Sequence, residues 1–256
     1  MLLAIDVGNT NTVFAVYKGD KLAGSWRCTT HAARTADEYG VFLNQIFTLE
    51  DIELKEISRA IISSVVPEAN FHLRGFCAKY LGTEPIMVDA SIAGIPVDLD
   101  HPEEVGADRL VNAVAVKKFY KTPAIVIDFG TATTFDVIDA KGRYGGGAIA
   151  PGINLSIEAL NRAASKLPKV SVKKPAGVIG KNTVGAIQSG IYWGYLGLIE
   201  GLVTKISAEL GTKPFVIATG GLAPLFARDT KFIDEVDENL TLKGLLEIYQ
   251  TITAKN

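Results

Sequence analysis

The chain has 256 residues, 48% hydrophobic and 21% charged, enough apolar material for a sizeable core and too much for a disordered chain. Lys and Arg total 26 against 28 Asp and Glu, a formal net charge of −2, so the basic footprint of sequence-independent nucleic-acid binding is missing. No stretch reaches the ~18 apolar residues of a membrane span, and Asp6 interrupts the short apolar start that a signal peptide would extend. The expectation is a soluble, cytoplasmic protein with no membrane or nucleic-acid partner.

In chain order, residues 2–7, 12–18 and 21–28 read as three strands joined by tight turns. Thr35 and Glu38 fit a capping box opening a helix whose stripe is Tyr39, Phe42, Leu43 and Ile46. A strand over 60–66, a helix over 68–81 closed by Gly82, and a strand over 86–89 come next. Residues 103–120 look helical. Strands over 124–129, 134–139 and 144–149 precede a helix over 154–167, a Pro- and Lys-rich loop over 168–181 and a long helix over 183–210. Strands over 215–218 and 232–235, with a short helix between them, lead to a terminal helix over 240–252. Cys28 and Cys77 form no metal-ligand pattern and read as buried reduced thiols.

The segments 3–24 and 125–146 align without gaps at a constant offset of 122. Asp6 and Asp128, Gly8 and Gly130, Thr12 and Thr134, and Gly24 and Gly146 are identical pairs. An offset near half the length marks two copies of one βββαβαβ unit, divided here as residues 1–115 and 116–256. This α/β duplication resembles the actin, sugar-kinase and heat-shock-chaperone superfamily, which implies two ribonuclease-H-like lobes with ATP in the cleft between them.

Each copy carries the parts of a phosphate site. Asp6 ends a strand and is succeeded by Val7, Gly8, Asn9, Thr10, Asn11, Thr12 and Val13. Glycine lets the backbone approach a ligand closely, and the amides and side chains after it can surround phosphate oxygens. The Asp6 carboxylate suits a hydrated Mg²⁺. Asp128 and the residues to Thr134 offer the same parts. Thr219, Gly220 and Gly221, after another strand, leave room for adenine or ribose. The phosphate loop with Gly-Lys-Ser/Thr and the dinucleotide glycine spacing are both missing.

Gly106, Ala107, Asp108 and Arg109 open the helix read over 103–120, where the helix dipole favours an ionised Asp108 and Arg109 can grip a carboxylate through two bonds. Along the 183–210 helix, Ala186, Gly190, Gly194, Gly197 and Gly201 form a ridge of small residues, suited to close packing against lobe helices or a second copy.

The ordered set Asp-Val-Gly-Asn-Thr (6–10), Gly-Ala-Asp-Arg (106–109), Asp-Phe-Gly-Thr-Ala (128–132), Gly-Gly-Ala-Ile-Ala-Pro-Gly (146–152) and Thr-Gly-Gly (219–221) resembles the type III pantothenate kinases. That resemblance implies transfer of the ATP γ-phosphate to pantothenate, the first step of coenzyme A synthesis. It also implies ATP and metal at 6–13, ATP at Thr131, and a monovalent cation, K⁺ or NH₄⁺, at Asp128. Pantothenate would meet Gly106, Ala107, Asp108, Arg109 and Thr183, with Asp108 accepting the hydroxyl proton, in a homodimer built on the 183–210 helix. Leu99 stands where some members carry a tyrosine that touches substrate. A transcriptional accessory factor of the same family, a phosphatase of the superfamily and an actin-like filament protein remain alternatives.

Overall fold

The computed structural model describes residues 1–164 and 166–254; residue 165, inside the helix expected over 154–167, lies outside the described residues. Its elements are β1 (Leu2–Val7), β2 (Asn11–Lys18), β3 (Lys21–Thr29), α1 (Ala36–Leu49), β4 (Arg59–Ser64), α2 (Pro67–Phe76), β5 (Ile86–Met87) and α3 (Ala90–Ala93). Then come α4 (Ala107–Phe119), β6 (Ala124–Phe129), β7 (Ala132–Ile138), β8 (Tyr144–Pro151), α5 (Ile153–Ala163), α6 (Thr183–Leu210), β9 (Phe215–Thr219), α7 (Ala223–Ala227), β10 (Glu235–Val236) and α8 (Leu240–Thr253).

Two compact units result, Met1–Lys118 with Leu240–Asn256, and Phe119–Asn239. Each holds a five-stranded sheet, in the order β3-β2-β1-β4-β5 and β8-β7-β6-β9-β10, with only the β4 and β9 neighbourhoods parallel. The two orders are the same, as duplication requires. The sequence division placed the terminal helix with the second half, but it packs in the first unit. Gly244 explains the fit: a Cβ there would lie 2.1 Å from the Val111 carbonyl, so α8 approaches α4 closely where it has no side chain. Thr241 Oγ1 also donates to Asn112 Oδ1 at 2.8 Å.

The central strands β1 and β6 are buried along almost their whole length, which is why they read as unbroken apolar runs. The edge strand β3 alternates exposed and half-buried residues. In the first unit Leu3, Ile5, Phe14, Leu43, Phe47 and Phe76 are fully buried, and each such side chain contributes about 1.5–3 kcal/mol of transfer free energy. The second core centres on Phe226, stacked 5.4 Å from Phe129 and 5.2 Å from Tyr192. The capping box forms as expected, Thr35 and Glu38 exchanging hydrogen bonds at the start of α1.

Several expectations shift. The helix over 68–81 is α-helical from Pro67 to Phe76, then makes one π turn that ends at Gly82, whose φ of +63° suits glycine. The helix over 103–120 begins only at Ala107, after a short 3₁₀ turn at Pro102–Glu104, so Gly106 precedes the helix and does not weaken it. Asp89 is not a strand residue: its carboxylate caps α3, accepting the amides of Ser91 and Ile92.

Candidate active site

In the first unit the predicted turn joins β1 to β2. Asp6 is half-buried at the end of β1, Val7 and Thr12 are buried, Gly8 and Val13 are half-buried, and Asn9, Thr10 and Asn11 are exposed. The turn is closed by the Gly8 amide donating to the Asn11 carbonyl at 3.0 Å. Thr12 departs from the expectation that it faces phosphate. Its hydroxyl is buried and lies 2.9 Å from Thr30 Oγ1.

The parallel neighbour β4 brings Ser63 beside Asp6 on the same face of the sheet. Ser63 Oγ is buried without a hydrogen-bond partner among the described residues. Beyond β4, the Val65 amide donates to the Val7 carbonyl at 3.0 Å. Val65 also adjoins the second motif: the position of a Cβ at Gly106 lies 3.5 Å from Val65 Cγ1 and 2.6 Å from Asp108 Oδ1. A side chain at Gly106 would displace the Asp108 carboxylate, which folds back over the glycine. Ala107 is buried, and Asp108 and Arg109 are half-buried in the first turn of α4. Asp108 Oδ1 accepts the Arg109 amide at 2.8 Å, a bond that orients the carboxylate.

The second unit repeats the arrangement with one change of register. Asp6 faces Val13, but Asp128 faces Thr134, so the offset falls to 121 across the second strand. It returns to 122 on the third, where Thr12 faces Cys28 and Thr133 faces Ala150. The second turn is one residue shorter, and the counterpart of Thr12 is Thr133, not Thr134. The gapless alignment hid this because Thr133 and Thr134 are adjacent threonines. Thr133 Oγ1 is buried and, like Ser63 Oγ, has no hydrogen-bond partner among the described residues.

Asp128 is half-buried and Thr131 is exposed. Thr219 lies beside Asp128 in the parallel register, as Ser63 lies beside Asp6. Gly220, at φ +87°, brings its backbone against the acid: a Cβ there would sit 2.9 Å from Asp128 Oδ1 and 2.7 Å from the Phe129 carbonyl. Gly221 and Thr183, the first residue of α6, are exposed.

Each unit, taken by itself, sets one carboxylate at a strand end beside a hydroxyl, Asp6 by Ser63 and Asp128 by Thr219, so the donors there are all oxygen. Oxygen donors fit hard cations, and the buried unpartnered Ser63 hydroxyl beside Asp6 fits a polar occupant such as hydrated metal or phosphate. Thr133 instead lies on the opposite face from Asp128, with Phe129 and Phe135. The thiols offer softer ligands elsewhere but are poorly placed to ionise. Burial raises the Cys28 thiol despite the opposing Arg34 guanidinium, and burial pushes Cys77 up to about 12. A pocket of about 290 Å³ opens between Met1, Tyr17, Arg59 and Tyr249, at the opposite end of β1 from Asp6, and shares no residue with these motifs.

The sequence profile of the type III pantothenate kinases matches residues 2–205. The chain belongs to that family. It is 61% identical over 252 residues to the type III pantothenate kinase of Paramagnetospirillum magneticum, covering 98% of this chain and 97% of that one. The type III pantothenate kinase of Rhodospirillum rubrum is 58% identical over 253 residues, 98% of each chain. Among solved structures, a Baf family protein from Campylobacter jejuni superposes with a TM-score of 0.63 at 17% identity, covering 98% of this chain and 99% of that one. Component A of (R)-2-hydroxyglutaryl-CoA dehydratase from Acidaminococcus fermentans superposes with a TM-score of 0.55 at 12% identity, covering 100% and 99%. At these identities the two likenesses establish the fold alone. No helix among the described residues, α6 included, is long and apolar enough to cross a membrane.

The sequence singled out Asp6, Asp128, the Gly106–Arg109 motif and the Thr-Gly-Gly turn, and the structure places each acid near the end of a central strand. It did not single out Ser63 or Thr30, and it took Thr134, not Thr133, as the counterpart of Thr12. Ser63 had a signal, since it ends an apolar strand, but nothing in a linear reading says which strand lies beside Asp6.

Proposed function

We propose that this pantothenate kinase family member transfers the γ-phosphoryl group of ATP to pantothenate, giving 4'-phosphopantothenate, the first step of coenzyme A biosynthesis. The observation that carries the reading is the Val65 junction: one residue bonds the strand end bearing Asp6 and packs beside Gly106, over which the Asp108 carboxylate lies. Acceptor and phosphate motifs, a hundred residues apart in the chain, thus share one end of one unit.

In this reading the 6–13 turn takes the ATP phosphates through the exposed polar groups of Asn9, Thr10 and Asn11, while the buried Thr12 pairs with Thr30. Thr131 and the 219–221 turn contact the nucleotide. Family membership implies a divalent metal with ATP, which neutralises phosphate charge when bound. Asp6 would hold it as Mg²⁺ through water, and Asp128 would hold K⁺ or NH₄⁺. Arg109, with Gly106, Ala107 and Thr183, receives pantothenate. Its guanidinium matches the pantothenate carboxylate.

Asp108 orients the primary hydroxyl. A carboxylate is a weak base toward an alcohol, so it receives the proton late, once the loose transition state has made the oxygen acidic. Alignment and charge neutralisation then supply most of the acceleration.

The chain acts as a cytoplasmic homodimer through α6. Gly190, Gly194, Gly197 and Gly201 are exposed, and a Cβ at any of them would meet nothing within 4 Å. Four such glycines each cost the helix about 1 kcal/mol, which packing inside the chain does not offset here and a second copy could. ADP release with ATP, Mg²⁺ and K⁺, with and without pantothenate, tests the function. Release must depend on pantothenate; release without it would favour the phosphatase or filament alternatives.

A further inference from the structure

We propose that Thr30 is a positioning residue that holds the first phosphate turn in its binding shape. The proposal rests on the reading of residues 6–13 as the ATP phosphate site. Thr30 lies just past the end of β3 and reaches the turn through three bonds. Its amide donates to the Thr10 carbonyl at 2.9 Å, its hydroxyl donates to the Gly8 carbonyl at 2.7 Å, and its Oγ1 lies 2.9 Å from Thr12 Oγ1.

A hydroxyl carries one proton, which fixes the direction of the chain. Thr30 spends its proton on Gly8, so Thr12 must donate to Thr30. The buried Thr12 hydroxyl is therefore committed to the brace, and the exposed residues 9–11 are left to face a ligand. Gly8, Thr10 and Thr12 are alternate residues of the turn, and one side chain with its own amide ties all three.

The second unit shows what is special about the side chain. Gly152 is the counterpart of Thr30, and its amide donates to the Thr131 carbonyl at 3.0 Å, which repeats the backbone bond. It has no hydroxyl, and a Cβ there would fall 2.1 Å from that carbonyl. The backbone tie is thus common to both turns, while the hydroxyl brace belongs to the first.

Thr30→Val keeps the shape of the side chain and removes the brace; Thr30→Ser keeps the hydroxyl. ATP affinity without pantothenate, by calorimetry, should fall about tenfold in Thr30→Val, the scale of one to two hydrogen bonds. KM for ATP should rise in parallel while KM for pantothenate stays within about twofold. Thr30→Ser should bind ATP within about threefold of the wild type. Wild-type affinity in Thr30→Val, or an equal rise in both KM values, overturns the proposal. Should Thr30→Val fail to fold, Thr30→Ser carries the test, and a tenfold loss in it would be equally fatal. Asp6→Asn separates the two readings: unchanged ATP binding in that variant would reject the phosphate turn itself, whatever Thr30 does.

Discussion

The β1–β2 turn and the β6–β7 turn start from one design and diverge in how they are stiffened. In the first, a hydroxyl chain runs from Thr12 through Thr30 to Gly8. In the second, the loop is a residue shorter, Gly152 closes directly on Thr131, and the Thr133 hydroxyl is buried unpartnered. A longer loop has more freedom to lose and gains from side-chain ties, whereas the shorter one is closed by the near approach of its backbone. Sequence identity between duplicated halves therefore marks where chemistry is shared, and departures mark how each copy is supported.

The halves differ most just past the strand that lies beside the acid. Beyond Ser63 the first runs into Val65, against Gly106 and Asp108; beyond Thr219 the second runs into Gly220, against Asp128. In the proposed reading, Asp108 and Arg109 thus belong to the first unit. Asp108→Asn should lower kcat by at least ~100-fold, the scale of general-base contributions, with ATP affinity unchanged. Near-normal turnover would remove Asp108 from the proton-accepting role.

A smaller effect separates the two supports. Gly152→Ala forces a Cβ onto the Thr131 carbonyl and should cost about 1–3 kcal/mol in urea unfolding, as overpacking does. Full stability in that variant would mean the second turn can relax, and that its closeness is not a constraint.

Smaller again is a pair of threonine-to-valine changes at equivalent positions. Thr12→Val breaks the brace and should destabilise by about 1 kcal/mol. Thr133→Val removes a hydroxyl that makes no bond among the described residues, so the ligand-free protein should be unchanged or more stable. Equal losses at both sites would show that the hydroxyl chain contributes nothing beyond packing.

Much of this was legible in the sequence because the signals are local. Apolar runs gave β1 and β6, and Thr35 with Glu38 gave the start of α1. The paired Asp-x-Gly turns gave both acids. The hidden part depends on neighbours distant in the chain: Ser63 beside Asp6, Thr30 across the turn, and α8 seated against Val111 in the first unit. The one-residue slip was masked by chance, since Thr134 preserves an identity that the register assigns to Thr133.

One contrast lies outside the turns, between buried faces and the bare ridge of α6. Tyr192, Tyr195, Leu196 and Ile199 are buried in the second core, while the glycines between them face open space. In the chain alone, alanine at Gly194 and Gly197 fills nothing and should strengthen the helix by about 1 kcal/mol each. In a dimer packed along that ridge, each added methyl pushes the helices apart. The double variant Gly194→Ala, Gly197→Ala should therefore unfold at higher urea when dilute, yet sediment as a weaker dimer at micromolar concentration. Higher stability with undiminished dimerisation would move the interface off this ridge, and a wild type that sediments as a monomer would end the proposal that α6 pairs two copies.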